Sequence, residues 1–360
     1  MDVSIPSTPT AVAVPGQGGP LFEAYFGLME ARVIMAGSKM GVFAALAEQP
    51  DDAAGLAARL GCDSAGVDAL LVALRSMDYL DLTDDGLYEP GAPARLHLVP
   101  DAPVPLGELI GGFTYDMWEL FSQLEETVES GVPVGLHEDA PDDAYWGRYM
   151  RGLYELSALR SGELCELIPT DSPLRLLDIA GGHGGYSVAM CKLHPGLRAH
   201  VVELEGAARI GRQTVAEAGM AERIDYEVTD MFGFEAPGAY DVAMANSILH
   251  HLDAERSVEL LEVGRRALRP GGTMAVIEME RPPDGERGTR LGGVTGVLFY
   301  LTSKVRTWSA LELCRSFEAA GFEQVQPRRS ELVPGIVVVT GIAPGDTQTS
   351  SKPSNHETKE

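Results

Sequence analysis

The sequence is short of bases. Lys and Arg number 28 against 53 Asp and Glu, a formal net charge of -25 over 360 residues. A surface that acidic repels phosphate backbones and anionic membrane faces, so neither nucleic acid nor a membrane is expected as a partner. Long apolar runs are missing too. No stretch reaches the roughly 18 residues that a spanning helix needs. Cysteine is scarce: Cys62, Cys165, Cys191 and Cys314 stand far apart with no CxxC pair. That argues against a zinc or disulfide framework and for a reducing cytoplasm. Residues 1–20 have no basic n-region and are broken by Pro and Gly, so they read as a flexible leader. Residues 345–360 hold no large apolar side chain and are expected to be a disordered tail.

Between these ends the composition is globular, 45% hydrophobic. Residues 21–103 read as helices followed by a hairpin around Asp84-Asp85-Gly86, the outline of a winged helix-turn-helix. A DNA reader needs bases on that motif. The span from Asp51 to Glu89 holds nine acids and only Arg59 and Arg75, so a packing or dimerisation module is favoured over a regulator. Residues 104–168 read as linker helices rich in aromatic side chains and Met, which suit the wall of a flat apolar ligand as well as a core. From 169 to 344 strands alternate with helices, the pattern of a parallel sheet covered on both faces.

The chemistry gathers at the carboxyl ends of those strands. The first ends in Asp178-Ile179-Ala180-Gly181-Gly182-His183-Gly184-Gly185, where glycines let a backbone turn sharply and approach a ligand. The next ends in Glu203, placed to accept ribose hydroxyls. A glycine turn plus an acid suits a dinucleotide or S-adenosylmethionine. The pattern Gly182-x-Gly184-x-x-Ser187 lacks the third glycine of the dinucleotide signature. Asp178 ahead of the turn opposes a pyrophosphate and favours a sulfonium with its ammonium group. After the third strand, Asp230 can bind an adenine amine while Met231 and Phe232 cover its ring. The fourth strand leads through Asn246 into Ser247-Ile248-Leu249-His250-His251-Leu252-Asp253, and Arg269-Pro270-Gly271-Gly272 forms a turn before the fifth.

In these motifs, taken in order, the chain resembles the class I S-adenosylmethionine-dependent methyltransferases, in particular the bacterial relatives of the plant-type small-molecule O-methyltransferases. The resemblance implies a Rossmann-like α/β methyltransferase sheet preceded by a mostly helical winged-helix dimerisation domain, and a homodimer formed through that domain. It implies S-adenosyl-L-methionine as cofactor and S-adenosyl-L-homocysteine as product. It puts Asp178, Gly181, Gly182, Gly184, Glu203, Asp230, Met231, Phe232 and Asn246 at the cofactor. It puts His250 at the catalytic base, with Glu278 of IEMERP orienting it. The chain departs from the family at Ala180 for the first motif glycine, Asn246 for a basic residue, His251 and Leu252 for Asp and Trp, and Val305 for a second catalytic carboxylate.

A phenol has a pKa near 10, and an imidazole with an ordinary pKa of about 6.5 is neutral near pH 7 and able to take its proton. The resemblance, with the large apolar side chains named next, implies as substrate a small aromatic hydroxyl of the secondary-metabolite kind found in antibiotic biosynthesis. Met117, Trp118, Phe121, Trp146, Tyr149, Met150, Phe299, Tyr300 and Trp308 are the candidate walls of its pocket. The changed positions keep C-methylation of an aromatic amino acid or α-keto acid open, as well as cofactor-dependent chemistry without methyl transfer. His183 is expected to shape the glycine turn and His251 to face solvent. No third histidine stands near enough to complete a metal site, so no metal is expected.

Overall fold

The computed structural model describes residues 19–134, 143–282, 285–304 and 306–345. Residues 1–18 of the expected leader, residues 346–360 of the expected tail and Val305 lie outside the described residues. The chain divides into two compact units, Met1–Thr114 and Tyr115–Glu360.

The first unit opens with α1 (Gly19–Lys39), two residues before the point the sequence suggested. Pro20 is accommodated there because the first helical turn needs no N–H partner. Then come α2 (Val42–Glu48), α3 (Ala53–Leu60) and α4 (Ser64–Ser76). Asp52 and Asp63 start α3 and α4 by accepting from the amides of Gly55 and Gly66, and Gly61 ends α3 in the left-handed region. The hairpin β1 (Leu80–Leu82) and β2 (Tyr88–Pro90) pairs Leu80 with Pro90 and Leu82 with Tyr88. The short α5 (Ala92–His97) follows. Phe43, Leu46, Leu56, Leu71, Leu74 and Leu80 form one closed core. The N-terminal half of α1 stays outside it: Leu21, Phe22, Tyr25 and Phe26 are all exposed.

The second unit carries α6 (Thr114–Phe121), α7 (Leu124–Ser130), α8 (Asp143–Ala158) and α9 (Ser161–Glu166) ahead of the sheet. The sheet elements are β3 (Arg175–Ile179), α10 (Gly185–Leu193), β4 (Arg198–Glu203), α11 (Glu205–Glu217), β5 (Ile224–Val228), β6 (Tyr240–Asn246), α12 (Ala254–Ala267), β7 (Leu268–Met279), α13 (Arg290–Ser303), α14 (Ala310–Ala319), β8 (Glu323–Arg329) and β9 (Ile336–Ile342). Their order in the sheet is β5-β4-β3-β6-β7-β9-β8, with β3 to β7 parallel and β9 antiparallel to both its neighbours, β7 and β8. Side chains alternate across the sheet. Leu177 and Ile179 join Leu260, Leu313 and Phe317 on one face. Leu176 joins Leu164, Tyr186 and Met190 on the other. Because β3 pairs with β4 on one side and β6 on the other, a crevice opens at their carboxyl ends. None of the described helices is long and apolar enough to cross a membrane.

Two readings change. The turn expected at Arg269-Pro270-Gly271-Gly272 lies inside β7, as an irregularity in its pairing with β6. A Cβ at Gly272 would come 3.0 Å from the Asp241 carbonyl oxygen, so the strands meet there on bare backbone. Two elements, α13 and β8, have no counterpart among the expected ones.

Candidate functional site

The turn after β3 doubles back through left-handed backbone at Ala180, Gly182 and Gly184. A Cβ on Gly181 would sit 2.6 Å from Asp178 Cγ, so that position accepts no side chain. Three contacts brace the turn: Tyr226 Oη donates to the Gly182 carbonyl at 3.0 Å, Thr214 Oγ1 to the His183 carbonyl at 2.6 Å, and the Gly185 amide to His183 Nδ1 at 2.9 Å. His183 thus shapes the turn. Burial, with Arg160 nearby, holds its pKa down at about 3, so the ring is neutral and can accept. Glu203, at the end of β4, accepts from the Gly182 amide at 2.9 Å and the Leu204 amide at 2.7 Å.

Asp178 is fully buried beneath this turn. Ser187 Oγ donates to its Oδ2 at 2.7 Å, while Oδ1 has no partner among the described residues. Burial pushes the carboxyl up to about 7, against the Ser187 hydrogen bond, with Glu203 adding to the rise. Asn246 closes β6 with both its amide oxygen and nitrogen buried and unpartnered among the described residues. Buried polar atoms of this kind need a partner. Asp178 Oδ1 and the Asn246 amide, beside a turn that excludes side chains, fit a polar, cationic ligand of the S-adenosylmethionine type.

Asp230 is exposed, and its Oδ1 caps its own single turn by accepting from the Phe232 amide at 3.0 Å. The Arg256 guanidinium lies 3.4 Å over the Phe232 ring. Met231 and Phe232 pack by their other surfaces on the sheet core.

His250 sits in a single turn, Leu249–His251, after β6 and is buried. Its Nδ1 is 3.0 Å from Glu278 Oε2. The Leu249 amide holds the other carboxylate oxygen at 2.8 Å. A carboxylate at Nδ1 selects the Nδ1–H tautomer and leaves a lone pair on Nε2. The chain just after Glu278 is pinned as well: Arg329 pairs with Glu280 at 2.6 Å, and Arg281 pairs with Glu312 at 3.0 Å.

The candidate wall residues divide. Trp146, Tyr149 and Met150 on α8 pack on Ala207 and Ile210 of α11. Met150 Sδ lies 3.5 Å from where a Gly182 Cβ would be, so this trio borders the turn after β3. Burial and the neighbouring Glu203 push the Tyr149 hydroxyl up to about 12. Met117, Trp118 and Phe121 lie on α6, which an Asp116–Arg148 pair at 3.2 Å ties to α8. Phe299 stacks on His250, and the Tyr300 hydroxyl lies near Gly131 at the end of α7. Trp308 sits in the sheet core, its indole N–H donating to the Leu249 carbonyl at 2.9 Å. It therefore supports the His250 turn from the core side. His251 does not simply face solvent: it is half-buried, with Nδ1 2.6 Å from Ser303 Oγ. Sequence reasoning passed over Ser187, Tyr226 and Ser303 as contributors. Each acts through a neighbour distant in sequence, and no local pattern marks it.

Residues 22–100 match the model of the O-methyltransferase dimerisation domain, and residues 128–323 that of the O-methyltransferase domain. The chain is 28% identical over 291 residues to 3-hydroxy-5-methyl-1-naphthoate 3-O-methyltransferase of Streptomyces sahachiroi, covering 78% of this chain and 81% of that one. It is 24% identical over 316 residues to L-tyrosine C(3)-methyltransferase of Streptomyces lavendulae, covering 82% and 84%. Its fold matches that of human N-acetylserotonin methyltransferase in complex with SAM at a TM-score of 0.80 and 20% identity, covering 90% of this chain and 96% of that one. The two matched domains follow each other in the order the sequence suggested, and the chain belongs to the O-methyltransferase family, as an S-adenosylmethionine-dependent methyltransferase with that family's dimerisation domain at its front.

Proposed function

We propose that the protein methylates a hydroxyl on a small aromatic metabolite, with His250 as general base and Glu278 as the group that holds it. The observation that carries this reading is the buried His250–Glu278 pair at 3.0 Å, at the carboxyl edge of the sheet. Bound S-adenosylmethionine supplies an activated methyl on its sulfonium. Glu203 would take the ribose hydroxyls, and Asp178 and Asn246 the polar end of the cofactor. Asp230, Met231 and Phe232 would hold the adenine. Nε2 of His250 accepts the phenolic proton as the oxygen attacks, and Glu278 offsets the charge that forms on the ring. Such a base contributes on the order of 10²–10⁴ in rate. Alignment by the pocket supplies the rest.

The S. sahachiroi relative, named for O-methylation of a hydroxynaphthoate, supports oxygen as the acceptor. The S. lavendulae relative, named for methylation of a tyrosine carbon, gives a second reading. Removing a phenolic proton also activates the ring carbon beside it, so the same base serves both outcomes. The test is turnover of a panel of phenols, aromatic amino acids and α-keto acids with methyl-labelled cofactor. Label in an O–CH₃ is the expected result, and label in a C–CH₃ replaces it with the second reading. His250→Ala should lower turnover by more than tenfold with cofactor affinity intact; unchanged turnover removes His250 from the mechanism. The dimerisation domain and the exposed apolar face of α1 support a homodimer. The acidic α3–α4 region speaks against nucleic acid, and four unpaired cysteines favour the cytoplasm.

A further inference from the structure

We propose that Phe299 is a positioning residue for His250, and that α13 clasps the His250-His251 turn at two points. The inference rests on His250 being the base. The Phe299 ring lies parallel to the imidazole, with centroids 3.6 Å apart and planes 4° apart. One turn further along α13, Ser303 Oγ lies 2.6 Å from His251 Nδ1. The helix stops there, at Lys304 in left-handed backbone.

Three groups touch the His250 ring: the His251 ring lies beside it, with centroids 4.2 Å apart and planes 44° apart, and the Glu278 and Phe299 contacts do different things. Glu278 reaches it in its plane, through Nδ1, and that contact alone leaves the ring free to rock about the Nδ1–oxygen direction, since the terminal torsion of histidine is soft. A flat ring on the face removes that freedom. The lone pair of Nε2 then points one way. The proton-accepting geometry is set by an in-plane carboxylate and an out-of-plane aromatic ring together.

The same spacing bears on where a substrate meets His250. A substrate ring between Phe299 and His250 would need about 7 Å, two aromatic contact distances of about 3.5 Å each. The gap is 3.6 Å. The substrate therefore meets His250 at its Nε2 edge, and Phe299 does not form a sandwich wall with the base. Ser303 fixes how far along its axis α13 sits, and so where the Phe299 ring falls.

The experiment compares Phe299→Leu, Phe299→Tyr and Ser303→Ala with the full-length protein, using the phenol found in the panel above. Phe299→Leu should lower kcat at least tenfold with the substrate KM within threefold, and Phe299→Tyr should restore kcat to within threefold. Ser303→Ala should give the same split at a few-fold, and it carries the test if Phe299→Leu does not fold. The His250 ring protons, assigned with the His250→Ala variant, should be shifted upfield in the wild type and move downfield in Phe299→Leu. That reading needs no substrate. A rise in KM with kcat unchanged overturns the proposal and makes Phe299 a substrate wall. Ring protons that do not move overturn it too. Full activity in His250→Ala instead defeats the base assignment, and the ring-proton shift then still decides whether the stack exists.

Discussion

Burial gives Asp178 a charge that can be switched within the physiological range. Its carboxyl is raised to about 7 from an ordinary value near 3.8, first by desolvation. The sign follows. A carboxylic acid whose folded pKa is raised is favoured in its protonated form, so its contribution to stability is present below about pH 4 and is lost as pH rises through 7. A cationic ligand reverses the preference, because it favours the ionised carboxylate. Cofactor affinity should therefore increase as pH rises from 6 to 8, with proton release on binding. Calorimetry in buffers of different ionisation enthalpy measures both. Asp178→Asn should flatten the profile and weaken binding about tenfold. An affinity independent of pH in the wild type would show that the cofactor's charge does not reach Asp178. The sequence exposed this residue's place ahead of the glycine turn. It did not expose Ser187 Oγ as its partner nine residues on, because only the folded turn brings the two within 2.7 Å.

At the scale of elements, the sequence was readable wherever periodicity and burial agreed. The parallel strands β3, β4 and β6 are apolar runs buried on both faces that stand where they were expected, and β7 is another that begins earlier, at Leu268. Two elements escaped, for opposite reasons. β8 is a mostly exposed edge strand, polar and interrupted by Pro327, which protects a sheet edge but carries no strand signal. α13 contains Gly292, Gly293 and Gly296, poor helix formers, and an unbroken apolar run from Val297 to Leu301 that fits no clear period. Its tertiary contacts hold it, and it carries the ring stacked on His250. The turn after β3 is the opposite case, an element whose chemistry is written in its glycines. At Gly181 a methyl would fall 2.6 Å from Asp178 Cγ and 2.7 Å from Val201 Cγ1. Gly181→Ala must displace the turn from the strand beneath it. We expect it to destabilise the protein by about 1–3 kcal/mol, as overpacking does, and to weaken the cofactor at least tenfold. Thermal unfolding and calorimetry read the two effects, and a variant with wild-type values in both would mean the turn tolerates a side chain.

For the whole molecule, the shortage of bases sets a problem that the first helix can solve. Two copies of a chain with a net charge of -25 repel each other, and the repulsion weakens as salt screens it. Association has to come from apolar surface. The N-terminal half of α1 supplies it: Leu21 is 79% exposed, Tyr25 60% and Phe22 58%, and the Phe22 and Phe26 rings lie 6.0 Å apart on one face. A soluble protein does not ordinarily leave such a patch uncovered. Apart from Leu21 the face lies within residues 22–100, the span of the dimerisation domain, which makes a second copy of this chain its natural cover. If so, the dimer should tighten between 50 and 500 mM salt, the reverse of an association driven by opposite charges. Replacing Phe22 and Phe26 together by Asp places two more negative charges on the apolar face and should raise the dimer dissociation constant by at least a hundredfold, with the sheet unit still folded. Sedimentation velocity across a concentration series separates the two states, and near-ultraviolet circular dichroism checks the fold. A double variant that sediments as the wild type does would move the interface elsewhere in the chain, and a dimer that weakens with salt would overturn the apolar account of what drives it.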